Sequence, residues 1–508
     1  MSDRTFDIVV IGAGLAGLEC AYILAAEGYG VCVLEKNNQL GGSLQVFSRD
    51  KRVFDTGVHY VGGLDPGQNL HSYFRYFGIM DQLKLHRLDP DGFDRISFRG
   101  DPREYPLAQG RDNFVRQLLP FFPREEAALR AYVATMRDVC ERFPWYYIND
   151  FAHDERGDPE LWVNARERIA SFTSNEKLRN VLAGNNGLYA GNAATTPFFV
   201  HALVANSFIE SAYRCVDGGS QIAKHLAHNA RAKGATILAR KEVTGFDMGP
   251  GGIQRVRTQD GDAFTTKRVI ADIHPASLLR MLGPGTVRKA YRDRITGLEN
   301  SVGSFSVHLT LEPGAIPYRD HNLYHFAVSD VWQAVDYGEA DWPTSLMVFT
   351  PISASEPTRV DSLAVMTYMR YAEVARWADT HNTVAGPEDR GEDYAAFKRS
   401  KEERVLDLLE ERIPGVRAAT KAMYSSTPLS FRDYIGSPDG SMYGVVKAAQ
   451  SPMRSYIPPV TRVPNLLLTG QNTNLHGLLG VTVSAMVTCA ELLGKPYLVR
   501  RVRDAAGI

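Results

Sequence analysis

A chain of 508 residues has room for roughly two to four domains. With 57 Lys plus Arg against 58 Asp plus Glu the formal charge is −1, so nothing in the balance calls for nucleic acid or an anionic membrane. The five cysteines, Cys20, Cys32, Cys140, Cys215 and Cys489, are odd in number and include no C-x-x-C pair, which argues against a disulfide framework or a zinc site and makes a reducing cytoplasm the simplest home.

The run Ile8-Val9-Val10-Ile11 is too short for a secretory leader and passes straight into glycines, so Phe6 to Ile11 reads as a buried strand. Gly12-Ala13-Gly14-Leu15-Ala16-Gly17 follows at once, and Leu18 to Glu27 has helix-forming composition. Gly12 permits the sharp turn, Gly14 lets backbone approach a pyrophosphate, and Gly17 lets the helix pack closely on the strand. The free N–H groups of the helix start then face phosphates. Gly28-Tyr29-Gly30 turns the chain into a second apolar strand, Val31 to Leu34, which ends in Glu35. A carboxylate there can accept hydrogen bonds from ribose hydroxyls. Strand, glycine turn, helix, second strand and terminal acid together predict a dinucleotide site rather than a bare structural turn.

Next come Lys36, Gly41-Gly42-Ser43 and Phe54-Asp55-Thr56-Gly57-Val58-His59-Tyr60-Val61-Gly62-Gly63. These resemble the second flavin-contacting stretch of the glutathione-reductase-like and amine-oxidase-like flavoproteins, an extension that nicotinamide dehydrogenases lack. The resemblance makes the dinucleotide FAD. Gly41-Gly42 offers a second place where backbone can lie against the cofactor, and the stretch to Gly63 reads as a strand and turn near its redox end. His59 and Tyr60 are therefore candidate flavin neighbours, and His59 a candidate for chemistry, with packing in a strand as its alternative.

Further along, Arg111 to Leu119, Pro123 to Phe143 and Thr196 to Ala212 are expected to be helical. Leu118, Leu119, Phe121 and Phe122 form an apolar cluster at the first junction, suited to dipping into a membrane if unburied. Pro144 to Tyr147 and Phe198 to Val204 could line an apolar tunnel or simply fill a core. At Val216-Asp217-Gly218-Gly219-Ser220-Gln221 the chain returns to nucleotide-domain character, with a helix to Lys233, strand Ala235 to Leu238, a strand holding Val243, and the run Lys267 to Asp272. Strands at Ser304 to Leu309 and Ser345 to Phe349 and a charged helix near Tyr394 to Arg412 belong to the second domain, where Tyr434 and Tyr443 read as packing side chains with satisfied hydroxyls, with flavin neighbours or proton donors as the alternative. A second return, Asn465 to Gln471, leads through Gly477-Leu478-Leu479-Gly480-Val481-Thr482 into an apolar helix. Its N-terminus can stabilise negative charge on a reduced flavin, with Gly480 and Val481 as donors.

Taken together, the glycine fingerprint, Asp55 to Gly62, Ser426 to Ser430 with Tyr434, Gly440-Ser441-Met442-Tyr443-Gly444, and Gly470-Gln471-Asn472 with Gly477 to Thr482 resemble the phytoene desaturase, carotenoid isomerase and retinol saturase group of FAD enzymes, most of all its saturase and isomerase branch. The resemblance implies an α/β fold in which a Rossmann-like FAD-binding domain (1–109, 210–285 and 455–508) is interleaved with an α+β substrate-binding domain (110–209 and 286–454). It assigns Val243 to the adenine end and Gly470, Gln471 and Thr482 to the flavin end. Gln471 departs from the acidic residue many relatives carry there, and a glutamine still donates and accepts. The activity implied is hydride transfer between flavin N5 and a C=C bond of a retinoid, carotenoid or related polyene, with saturation ahead of isomerisation and desaturation. An amine oxidase and a non-catalytic isoprenoid escort remain alternatives. No second glycine fingerprint is visible for a nicotinamide, so a separate electron donor or acceptor is expected, and the enzyme is expected in the cytoplasm or on a membrane surface.

Overall fold

A computed structural model describes residues 4–149, 162–355 and 359–508. The chain builds two large sheets. In the first, Thr236–Leu238, Val31–Leu34, Arg4–Ile11, Ala263–Ala271 and Leu466–Leu468 lie side by side and parallel. Gly252–Thr258 and Val243–Gly249 extend it as an antiparallel edge. Ile8 to Ile11 and Val31 to Leu34 are uninterruptedly apolar because both faces of this sheet are covered. Helices Leu15–Ala26, Ser220–Ala232 and Gly477–Leu493 supply one cover. Each such buried aliphatic side chain contributes roughly 1.5–3 kcal/mol relative to its exposed state.

The second sheet runs in the order Thr420–Ser426, Gly303–Leu311, Ser362–Met369, Ser345–Phe349, Asn322–Phe326, Asp94–Phe98 and Glu104–Leu107. Residues 94–107, expected in the nucleotide-binding part, instead complete this sheet: Asp94–Phe98 pairs in parallel with Asn322–Phe326. The reason is side-chain fit. Ile96 and Phe98 bury into the same core as Leu323, Tyr324 and Phe326.

Helices Arg111–Leu118 and Glu126–Glu141 form as expected, but their junction is not a membrane face. Leu118 and Phe122 are buried in the core beneath the second sheet, and Leu119 and Phe121 pack against it. Among the described residues no helix is long and apolar enough to cross a membrane.

Candidate active site

The glycine turn is built by contacts within the protein. A Cβ on Gly17 would lie 2.1 Å from Gly12 O, so only glycine lets helix Leu15–Ala26 sit this close to the first strand. Gly12 has φ +96°, a conformation that other residues rarely adopt. Above them sits Asp272, at the end of strand Ala263–Ala271. Its Oδ2 accepts the Gly17 N–H at 2.9 Å, and a Cβ on Gly14 or on Gly470 would strike its carboxylate at 2.5 Å and 2.4 Å. The close approach at Gly14 is thus to an acidic side chain of the same chain. Asp272 was not singled out in the sequence, though Val269-Ile270-Ala271-Asp272 repeats the pattern of apolar strand and terminal acid seen at Val31 to Glu35.

Glu35 is buried. It accepts the Ala13 N–H at 2.8 Å through Oε2 and the Asn37 N–H at 2.8 Å through Oε1. Burial raises its pKa, and these two bonds partly offset the rise. Burial pushes Asp272 up to about 7, helped by the charge of Glu35. Lys36 turns away from this pair and donates to Asp433 O at 2.8 Å.

A cavity of about 770 Å³ runs from Glu35 and Val243 past Gly14 and Gly42 to Gln471 and Val481. It is large enough for a substantial ligand, and Gly12, Leu15, Lys36, Gly41 and Ser43 also line it. The two helix starts that line it, at Leu15 and Gly477, each point a partial positive charge inward. At Gly477 a Cβ would meet nothing within 4 Å, so the cradle is open there. A carboxylate at one end, helix N-termini facing the middle and far end, and open backbone at Gly477 fit a dinucleotide. Ala13, Ala16 and Gly17 lie behind this wall rather than on it, as does Gly470. Thr482 is fully buried and donates to Glu19 at 2.7 Å.

A second cavity of about 760 Å³ adjoins the first, and both are walled by Gly57, Val58, Met442, Tyr443, Gly477 and Leu478. His59, Tyr60 and Gly480 line this second, mainly apolar space and not the first. The His59 ring stacks on Phe349 with centroids 4.2 Å apart, and its Nε2 lies 2.9 Å from Met366 Sδ. Burial depresses His59 to about 3, so the ring is neutral at physiological pH. The Tyr60 hydroxyl points away, donating to Asp94 at 2.9 Å and sharing a hydrogen bond with Tyr324 at 2.7 Å.

Tyr443 stands in the shared wall. Its hydroxyl donates to Gly187 O at 2.9 Å and its ring lies 4.3 Å from that of His476, which the sequence reading did not single out. His476 Nε2 is 3.1 Å from Leu188 O, and burial lowers its pKa to about 4. Tyr434 lines the first cavity, with its hydroxyl accepting the Val384 N–H. Of the apolar runs considered as tunnel lining, Trp145, Tyr146, Leu203 and Val204 do face the second cavity, while Phe198 is core. Among the described residues no carboxylate lines this cavity, and no cluster of His, Cys, Asp and Glu could hold a metal ion.

Residues 15–378 match the model of the flavin containing amine oxidoreductases. The all-trans-retinol 13,14-reductase of Danio rerio is 24% identical over 96% of this chain and 86% of its own length. A chloroplastic prolycopene isomerase of an Oncidium hybrid cultivar is 24% identical, covering 86% of this chain and 75% of the relative. Among solved structures, a putrescine oxidase variant superimposes with a TM-score of 0.65 at 16% identity, over 98% of this chain and the whole of that one; the likeness is one of fold. The cofactor is a flavin, as throughout the matched family. Because that match takes in the first helix, the shared cavity wall at Gly57 and Val58, and most of the second sheet, the chain belongs to the flavin containing amine oxidoreductase family.

Proposed function

We propose that the protein is an FAD-dependent oxidoreductase that saturates a C=C bond of a retinoid, carotenoid or related apolar polyene, with isomerisation or desaturation of such a substrate as the nearest variants. The observation that carries this reading is the pair of cavities of nearly equal size sharing one six-residue wall, the first with a dinucleotide's polar features and the second mainly apolar. The relatives named for retinol reduction and prolycopene isomerisation support the substrate class.

Gly12, Gly14, Glu35, Gly42, Val243, Gln471 and Val481 would hold the FAD, which supplies the hydride and electron chemistry when bound. The chain's own part is position and exclusion of water. Phe208, Phe349, Met347 and Met366 give a linear apolar substrate its contact surface, and His59, held neutral, packs among them. Tyr443 lines both cavities, and His476, packed against its ring, lines the apolar one. An amine substrate is disfavoured because, among the described residues, the apolar cavity has no carboxylate to face a protonated amine. An escort lacking cofactor is disfavoured because the glycine turn and Glu35 stand intact beside a cavity of dinucleotide dimensions.

The substrate would enter from a membrane surface. Tyr456, Ile457 and Pro459 line the apolar cavity, and in the same segment Met453, Tyr456 and Val460 are 50%, 43% and 49% exposed. Segment 451–463 carries Arg454 and Arg462 and no acid, which suits an anionic bilayer. The deciding experiment is anaerobic incubation of purified protein and reduced flavin with a panel of polyenes, followed by mass analysis. A gain of two hydrogens identifies a saturase, unchanged mass with altered retention an isomerase, and loss of two hydrogens under oxidising conditions a desaturase. No turnover across the panel overturns the reading.

A further inference from the structure

A third, smaller cavity of about 270 Å³ touches the other two: it shares Asp439, Tyr443 and Gln471 with the cofactor cavity and Tyr443 and His476 with the apolar one. Into it projects Lys447. Its Nζ donates to Asn472 O at 3.1 Å and more weakly to Ser455 O at 3.5 Å, and among the described residues no carboxylate pairs with it. A lysine taken out of bulk water without a counter-ion is costly, and such arrangements are retained where the positive charge serves something else.

The other charged groups around this cavity do not neutralise it. Arg370 donates to Tyr337 O, Asp439 faces Asn300 Nδ2 at 3.5 Å, and Glu299 and Asp439 are both exposed. Tyr189, Tyr371, Tyr443 and His476 complete the titratable lining, and His476 is held neutral by burial with the nearby Lys447 charge acting in the same direction. The ammonium therefore directs its field at the Asn472 peptide, adjacent to Gln471 and the N-terminus of helix Gly477–Leu493. Both sources of positive potential converge on one end of the cofactor cavity, the end where it meets the apolar cavity.

We propose that Lys447 tunes the bound flavin: by placing an uncompensated cation behind Asn472, it favours the reduced, anionic isoalloxazine over the neutral oxidised one and so raises the midpoint potential. The balance is two electrons and one proton taken up per flavin, leaving one negative charge on the ring. This rests on FAD occupying the cofactor cavity, as proposed above.

The test is potentiometric and needs no polyene. Wild type, Lys447→Met and Lys447→Arg are reduced slowly with dithionite in the presence of a reference dye, and the flavin and dye spectra are followed together. Lys447→Met is expected to lower the reduced-to-oxidised ratio at fixed potential by about tenfold, a shift of about 30 mV for a two-electron couple, while Lys447→Arg stays near wild type. Coincident curves for wild type and Lys447→Met overturn the proposal. Should Lys447→Met fail to retain flavin, the wild-type potential is followed through the titration of Lys447, which burial lowers to about 8. Loss of the ammonium is expected to steepen the fall of potential with pH there, and an unchanged slope overturns the proposal. Wild-type protein that neither carries nor takes up flavin would instead overturn the functional reading itself.

Discussion

Asp272 holds the N-terminus of the first helix: its Oδ2 accepts the Gly17 N–H at 2.9 Å, inside the turn that would otherwise present this donor to a phosphate. An acid at an anion-binding helix start is compatible with a bound pyrophosphate if it is protonated, and burial pushes Asp272 up to about 7. Its pKa is raised on folding, so the unfolded chain binds fewer protons between the ordinary aspartate value and about 7. Stability contributed at this site is therefore present at low pH and is lost as pH rises through that window. In urea unfolding of the cofactor-free protein, Asp272→Asn is expected to remove a pH-dependent component on the order of a few kcal/mol. An identical pH dependence in both proteins would contradict this.

His59 is a packing group in this geometry. With its pKa depressed to about 3, the ring is neutral near pH 7 and is not available as an imidazolium acid. His59→Phe should preserve flavin binding and most of the turnover, as measured by initial rates on whichever polyene proves active. A loss of about 100-fold or more with flavin retained would give His59 a chemical role after all.

For Tyr443, the hydroxyl and the ring make separable contributions. Tyr443→Phe removes the bond to Gly187 O and should cost about 1 kcal/mol in thermal or denaturant unfolding, with the visible flavin spectrum kept. Tyr443→Ala removes part of the wall between the cavities and should perturb that spectrum. A spectrum unchanged in the alanine variant would count against a flavin bound on the Tyr443 side of the cofactor cavity.

Two apolar clusters give opposite expectations. Replacing Met453, Tyr456 and Val460 together by serine should abolish co-sedimentation with phosphatidylserine-containing vesicles and leave the melting temperature nearly unchanged. Leu118→Ala should leave vesicle binding alone and destabilise the fold by roughly 2–5 kcal/mol, because that side chain is fully buried. Equal vesicle binding by the serine variant and wild type would remove the membrane route.

What could be read from the sequence was what is local in the chain. The turn from Gly12 to Gly17, the strand ending in Glu35 and the return at Gly470 to Val481 each declare themselves within about twenty residues, because strand, turn and helix start are contiguous. The pairing of Asp94–Phe98 with Asn322–Phe326 did not, since strand partners more than two hundred residues apart leave no short-range signal. The same holds at His59, whose neighbours Phe349 and Met366 come from the second sheet. Leu118 to Phe122 shows the limit of composition: an apolar cluster at a helix junction reads alike whether it faces lipid or core.

The shared wall has a thermodynamic consequence. Gly57, Val58, Met442, Tyr443, Gly477 and Leu478 come from three separated stretches of chain, and whatever fills one cavity forms part of the surface of the other. Occupancy of the two should therefore be linked, and linkage is reciprocal: the factor by which flavin changes the affinity for a ligand of the apolar cavity is the factor by which that ligand changes the affinity for flavin. A chain stripped of its cofactor would then bind the ligand of the apolar cavity with a different affinity, apart from any loss of chemistry.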